Sequence, residues 1–252
     1  MNILFTICGR AGSKGIKNKN IRDFCGKPLP YYTLSAIDLY LKKYGDPKTD
    51  RYDIVLSTDS PELIKIMNGN PFLKVDVIER SAKLSGDTVA KKDVILDCIE
   101  QMEERKNCTY DVAVDLDLTS PLRTTEDIAN IIDTHFEKKA DITYSVTTAR
   151  RNPYFNQVMK TDEGFRKVII SDFVARQQAP EIYDMNASLY AYRPGHLKAG
   201  GDFNVGHFEA TVMYDTAVLD LDHENDFELM EIIATHLYSK MPEFAEISRN
   251  IP

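Results

Sequence analysis

Short apolar runs alternate with helix-spaced stretches along most of the chain. NILFTIC at 2–8, IVLST at 54–58, VDVI at 75–78 and VAVDLDL at 112–118 read as buried strands. Between them the apolar positions fall three and four apart. Residues 28–43 predict a helix opened by Pro28, with Leu34, Ile37 and Leu41 on one side. Ser60 and Pro61 start a helix over SPELIKIM, and 88–105 carries Ile95, Cys98, Ile99 and Met102 on one face. Thr124 caps a helix bearing Ile128, Ile131, Ile132 and His135, and a last helix over about 225–239 sets Leu229, Ile232, Ile233 and His236 on one side. Strands alternating with helices of this length predict an α/β fold with a mainly parallel sheet and helices on both faces.

From 141 to 185 the pattern changes. ITYSVTT, NPYFNQVMK and FRKVII alternate as antiparallel strands do, with a turn at Thr161–Gly164. Further strands follow at 187–192 and 211–214. The expected organisation is a core of 1–140 and 186–252 with an arm, 141–185, inserted into it.

Composition adds a charge asymmetry. The 252 residues carry a net charge of −8, which disfavours a nucleic-acid partner. The first 30 residues run the other way: Arg10, Lys14, Lys17, Lys19, Arg22 and Lys27 face only Asp23. A cationic island on an anionic chain suggests a small anionic ligand. Four cysteines without a CxxC or zinc spacing read as buried thiols in a reducing compartment, and no apolar run is long enough for a membrane span. These features predict a cytoplasmic protein.

The cations cluster in GRAGSKGIKNKN at 9–20, directly after the first strand. A loop there lies at the carboxyl edge of the sheet, where ligands bind in α/β folds. Glycines let backbone N–H groups approach phosphate oxygens, and Lys and Arg supply charge. Neither the P-loop pattern nor the dinucleotide fingerprint occurs, so a nucleoside triphosphate would be held in another way. Two Asp-x-Asp pairs, Asp115/Asp117 and Asp220/Asp222, can each aim two carboxylates to one side of a strand. Such a pair suits Mg2+ shared with substrate phosphates, with Mn2+ as an alternative. Asp220 and Asp222, where strand passes into turn, are the better metal pair. Asp117 runs into LTSPLR, where Thr119, Ser120 and Arg123 suit substrate recognition.

In order, GRAGSKGIKNKN, GKPL, LSTDS, RSAKLSGDT, TSPLR and LDLDHENDF resemble the CMP-sialic acid synthetase family of cytidylyltransferases, from residue 3 to about 230. TICGRAGSKG, ARRNPYFN and ARQQAPEIYDMNASLY are similar to its CMP-legionaminic acid synthetase branch. Sialic acid enzymes typically read LQPTSPLR; here LDLTSPLR puts Asp117 and Leu118 in place of glutamine and proline.

The resemblance implies a Rossmann-like nucleotidyltransferase fold with a small antiparallel dimerisation arm. It implies transfer of CMP from CTP to the anomeric hydroxyl of a nonulosonic acid, N,N'-diacetyllegionaminic acid foremost, by a homodimer. N-acetylneuraminate, another keto-sugar acid, or a nucleotide-binding regulator without the chemistry stay open as alternatives. On this resemblance Gly9, Arg10, Ala11, Gly12, Ser13, Gly15, Lys19 and Asn20 would cradle the triphosphate. Arg80, Ser85 and Asp87 would border the nucleotide pocket. Asp117, Thr119, Arg123, Arg176, Gln177, Tyr183 and Asn186 would face the sugar. Asp220 and Asp222 would hold the metal, and Arg10, Lys19 and Asp222 would carry the catalysis.

Overall fold

The computed structural model describes residues 1–12, 15–46, 48–86, 88–215, 221 and 223–252. The chain runs β1 (Asn2–Cys8), β2 (Asp23–Phe24), β3 (Lys27–Pro28), α1 (Leu29–Tyr44), β4 (Arg51–Thr58), α2 (Pro61–Asn68), β5 (Asp76–Glu79), α3 (Lys91–Lys106), β6 (Val112–Leu116) and α4 (Thr125–Glu137). It continues through β7 (Ile142–Thr148), β8 (Val158–Thr161), β9 (Gly164–Lys167), β10 (Tyr183–Tyr192), α5 (Pro194–Lys198), β11 (Phe208–Val212), α6 (Glu224–Lys240) and α7 (Pro242–Asn250). Among the described residues the main sheet has the strand order β11-β7-β10-β6-β1-β4-β5. Its β6, β1, β4 and β5 are parallel, and β10 runs antiparallel to both neighbours.

Alternation along β1 divides the core. Ile3, Phe5 and Ile7 face the layer built by α1, α2, α4, α6 and α7, while Leu4 and Cys8 face α3. Helices therefore cover both faces of a mainly parallel sheet, as the sequence pattern predicts. The caps follow from side-chain chemistry. Ser60 Oγ accepts from the Leu63 amide at 3.2 Å, and Thr124 and Asp127 close a reciprocal capping box.

Three elements differ from the sequence pattern. ITYSVTT is β7, which lies inside the main sheet between β11 and β10, so the excursion from the sheet spans 149–182 rather than 141–185. Half-buried alternation reads the same in an arm and in an antiparallel part of a large sheet. Within the excursion β8 and β9 form the expected hairpin around Asp162-Glu163, with Gly164 at φ +113°. On α6 the buried residues are Phe227, Met230, Ala234 and Leu237, whereas Leu229 and Ile232 are 43% and 66% exposed. Two apolar stripes run along that helix, and the sequence does not say which one meets the core. Finally, α7 follows α6 after Met241 and packs on α1.

The N-terminal cations divide between two tasks. Arg22 pairs with Glu224 at 2.5 Å and lies over the Phe227 ring. Lys27 Nζ donates to the Ser248 and Ile251 carbonyls at the C-terminal end of α7, a favourable place for a cation. These two fasten the C-terminal helices. Lys27→Met should lower unfolding stability by about 1–3 kcal/mol in urea titration. Unchanged stability would contradict this fastening role.

Candidate active site

The loop after β1 is held from both ends. Gly9 N donates to the Ser57 carbonyl at 3.1 Å, and Ala11 N to Asp59 Oδ1 at 2.6 Å. A Cβ on Gly9 would come within 2.6 Å of a Leu63 methyl and 2.8 Å of a Leu118 methyl, so a larger residue there would force both buried leucines to shift. Gly12 takes φ +72°, and Ile16 is fully buried as an anchor. Asn20 Nδ2 donates to the Arg10 carbonyl at 3.1 Å. The loop is thus a fixed ledge rather than a loose tether.

A cavity of about 410 Å3 opens over this ledge, at the carboxyl ends of β1, β5 and β6. Gly9, Arg10, Gly15, Lys19 and Asn20 form one wall. Arg80, Leu84, Gly86, Val89 and Val94 form a second, more apolar one, and Cys8, Lys91, Asp117 and Thr119 close the floor. Arg80 is itself secured, with Nη2 donating to the Ser57 carbonyl at 2.9 Å and Nε to Ser57 Oγ at 3.2 Å. Lys19 Nζ donates to the Leu221 carbonyl at 2.6 Å, which ties the backbone between Asp220 and Asp222 to the cationic wall.

The floor is an ion cluster that the sequence reading missed. Lys91 Nζ lies 2.7 Å from Asp115 Oδ2 and 3.1 Å from Asp117 Oδ2. Asp115, fully buried, accepts from Thr6 Oγ1 at 3.0 Å; Asp117 Oδ1 accepts from the Thr119 amide and hydroxyl at 2.8 and 2.6 Å. Burial opposes the charge on Lys91, but the two carboxylates outweigh it and hold the ammonium well above its ordinary pKa. Burial likewise opposes ionisation of Asp117, yet Lys91 and the Thr119 donors hold its carboxyl well below the usual range. A cation at the first position of a helix opposes the helix dipole, and that was the available sign that Lys91 has an acidic partner.

The other expected site residues are dispersed. Ser85 donates to the Ser81 carbonyl, just outside the cavity lining. Arg123 is 1% exposed, donates to the Asp117 and Ser120 carbonyls, and is pulled down to about 10 by burial. It braces the turn after β6 from behind. Asn186 is buried, its Oδ1 accepting from the Ser188 amide and from Ser145 Oγ, at the irregularity where β10 slips against β7. Arg176, Gln177 and Tyr183 line a separate cavity of about 360 Å3 beside Thr148, Ala149 and Asn152. Ser13, Asp87, Asp220 and Asp222 lie outside the described residues. No cluster of three or more His, Cys, Asp or Glu suited to a metal occurs among the described residues, and no described helix is long and apolar enough to cross a membrane.

A mainly parallel sheet with a ligand-sized cavity at its carboxyl edge is an architecture that nucleotidyltransferases share with other open α/β proteins. Residues 4–232 match the cytidylyltransferase family model, and the chain belongs to that family. It is 37% identical over 238 residues to "Post-translational flagellin modification protein B" of Campylobacter coli, covering 92% of this chain and 94% of that one. It is 34% identical over 235 residues to "CMP-N,N'-diacetyllegionaminic acid synthase" of Campylobacter jejuni, with the same coverage of 92% and 94%. Among solved structures, a CMP:2-keto-3-deoxy-manno-octonic acid synthetase complexed with CTP superposes with TM-score 0.65 at 13% identity, covering 94% of this chain and 99% of that one. The protein is therefore an enzyme of the nucleotidyltransferase class.

Cys8 gives a direct probe of the cavity floor. Its hydrogen bond with Cys98, burial, and the Asp115 charge push the thiol well above its ordinary pKa, so it stays neutral at pH 7–8. Iodoacetamide should modify Cys8 more slowly than a model thiol at pH 7.5, as read by peptide mass spectrometry of the native protein. Modification as fast as that of the same peptide after denaturation would contradict the enclosed floor.

Proposed function

We propose that the enzyme transfers CMP from CTP to the anomeric hydroxyl of a nonulosonic acid, with N,N'-diacetyllegionaminic acid as the first candidate, and releases pyrophosphate. The observation that carries this reading is the pairing in one cavity of a cationic, glycine-bearing wall with an apolar wall. The first suits a triphosphate, and the second suits the face of a pyrimidine. The name of the Campylobacter jejuni relative supports the choice of acceptor.

In this reading the anomeric oxygen forms a bond to the α-phosphorus while the bond to the bridging oxygen of the pyrophosphate breaks. The hydroxyl proton is lost, and Asp222 is the candidate to accept it. Arg10 and Lys19 neutralise charge that grows on the leaving pyrophosphate, and the fixed ledge keeps the two reactants in line. Gly9, Ala11, Gly12, Ser13, Gly15 and Asn20 hold the phosphates, with Arg80, Ser85 and Asp87 on the nucleoside side. A pair of carboxylates two residues apart in sequence is the donor chemistry that suits a hard divalent ion shared with phosphate oxygens. Asp220 and Asp222 would hold Mg2+, or Mn2+, which when bound supplies charge neutralisation.

The cavity of Arg176, Gln177 and Tyr183 lies on the segment that leaves the sheet, and in a homodimer it would reach the partner's site. Exposed Phe165, Ile170 and Val174 on the same segment support a covered face there. In this reading the enzyme works in the cytoplasm, where CTP is available.

Pyrophosphate release from CTP, measured with Mg2+ and a panel of nonulosonic acids, tests this directly. Turnover with at least one acid is expected, together with a loss of about 10²- to 10³-fold for Lys19→Ala. Asp222→Ala should nearly abolish turnover without changing the melting temperature. CTP binding with no release from any acid would overturn the proposal, and full activity of Asp222→Ala at saturating Mg2+ would overturn the metal assignment.

A further inference from the structure

The ion cluster on the cavity floor raises the question of what meets the acceptor there. Asp117 is not placed to do it simply. Its Oδ1 takes two donors from Thr119, and its Oδ2 takes Lys91. Asp115 is fully buried and does not line this cavity. The group that does line the cavity, with a third of its side chain exposed, is Lys91. Its ammonium donates to Asp117 Oδ2 and forms an ion pair with Asp115 Oδ2, and with three N–H groups it keeps donor capacity for a ligand.

Position and charge narrow the ligand. Asp115 and Asp117 belong to β6 and the turn after it, and the Tyr190 ring of β10 lies 5.5 Å from the ammonium. Lys91 thus leans toward the β6–β10 side of the sheet, away from Arg80 after β5, on the nucleoside wall. One cation between two anions, with the buried Arg123 guanidinium behind Asp117, leaves the group near neutral. Such a group gives a ligand carboxylate no net attraction, whereas a neutral oxygen with lone pairs needs only a donor. We propose that Lys91, held by Asp115 and Asp117, is a specificity-determining residue that donates a hydrogen bond to a neutral acyl carbonyl of the sugar acid. This rests on the cytidylyltransferase reading above and extends it to the acceptor's substituents. In this arrangement Asp117 is a positioning residue, acting through the ammonium it fixes.

The test uses the intact enzyme with CTP and two acceptors, one with an acylamino group and one with a hydroxyl in its place. The double variant Lys91→Met/Asp117→Asn leaves the net charge of the group unchanged, and Lys91→Arg keeps the donor; melting temperatures check that each is folded. The double variant should raise KM for the acylamino acceptor about 10- to 100-fold and erase the preference over the hydroxyl acceptor. KM for CTP should stay within about twofold of the native value, and Lys91→Arg should retain most of the preference. Unchanged acceptor KM and preference, a rise in KM for CTP instead, or a Lys91→Arg enzyme no better than the double variant would overturn the proposal. Such a result with an active native enzyme sinks this proposal alone; a native enzyme inactive on every acid sinks the acceptor assignment and this proposal together.

Discussion

The ammonium of Lys91 between Asp115 and Asp117 is the constraint on which the cavity is built. Asp115 lies on a central strand, flanked by β1 and β10, with no exposure to water. A carboxylate there is tolerable only with a hydrogen bond and an opposite charge. Thr6 supplies the first from β1, and Lys91 supplies the second from α3. Removing one partner of such a buried group typically costs about 3–5 kcal/mol, a large share of a domain's total stability. The start of α3 is therefore fixed over the end of β6, and with it the floor, the turn through Thr119 and the buried Arg123 behind that turn.

The rest of the site follows from the same edge. Because β1 is central, the loop after it opens between the ends of β6 and β4 and is held by groups from both sides, Leu118 and Leu63 against Gly9 and Asp59 against Ala11. Lys19 then reaches across to the Leu221 carbonyl, so Leu221 and the cationic wall meet although 202 residues separate them. The fold brings distant sequence segments together by fixing loops at strand ends, and the chemistry is left to those loops.

The strands, their alternation with helices, and the cavity-lining character of residues 9–20 were legible in the sequence, because buried parallel strands and amphipathic helices leave strong periodic signals. What was not legible has particular causes. ITYSVTT alternates in the same way whether it belongs to an arm or to β7 of the main sheet. The apolar stripe of α6 was misassigned because two such stripes run along it. Lys27 read as part of a ligand-binding island, yet it caps α7; charge in sequence does not disclose which carbonyls a flexible side chain can reach. Nothing local to Lys91 reveals its role, since its partners on β6 and in the turn after it are 24 and 26 residues away in the chain. The expected sugar set divides in this chain between the main cavity, a second cavity and the core.

A crystal structure of the enzyme with CTP and a divalent ion tests the central claim most directly. The triphosphate is predicted to lie along residues 9–20, facing the segment around Leu221, with the base against Leu84 and Val89. The ammonium of Lys91 should remain within ion-pair distance of Asp115 and Asp117. A triphosphate bound instead in the cavity of Arg176, Gln177 and Tyr183, or a Lys91 drawn off its carboxylates onto the phosphates, would contradict the account.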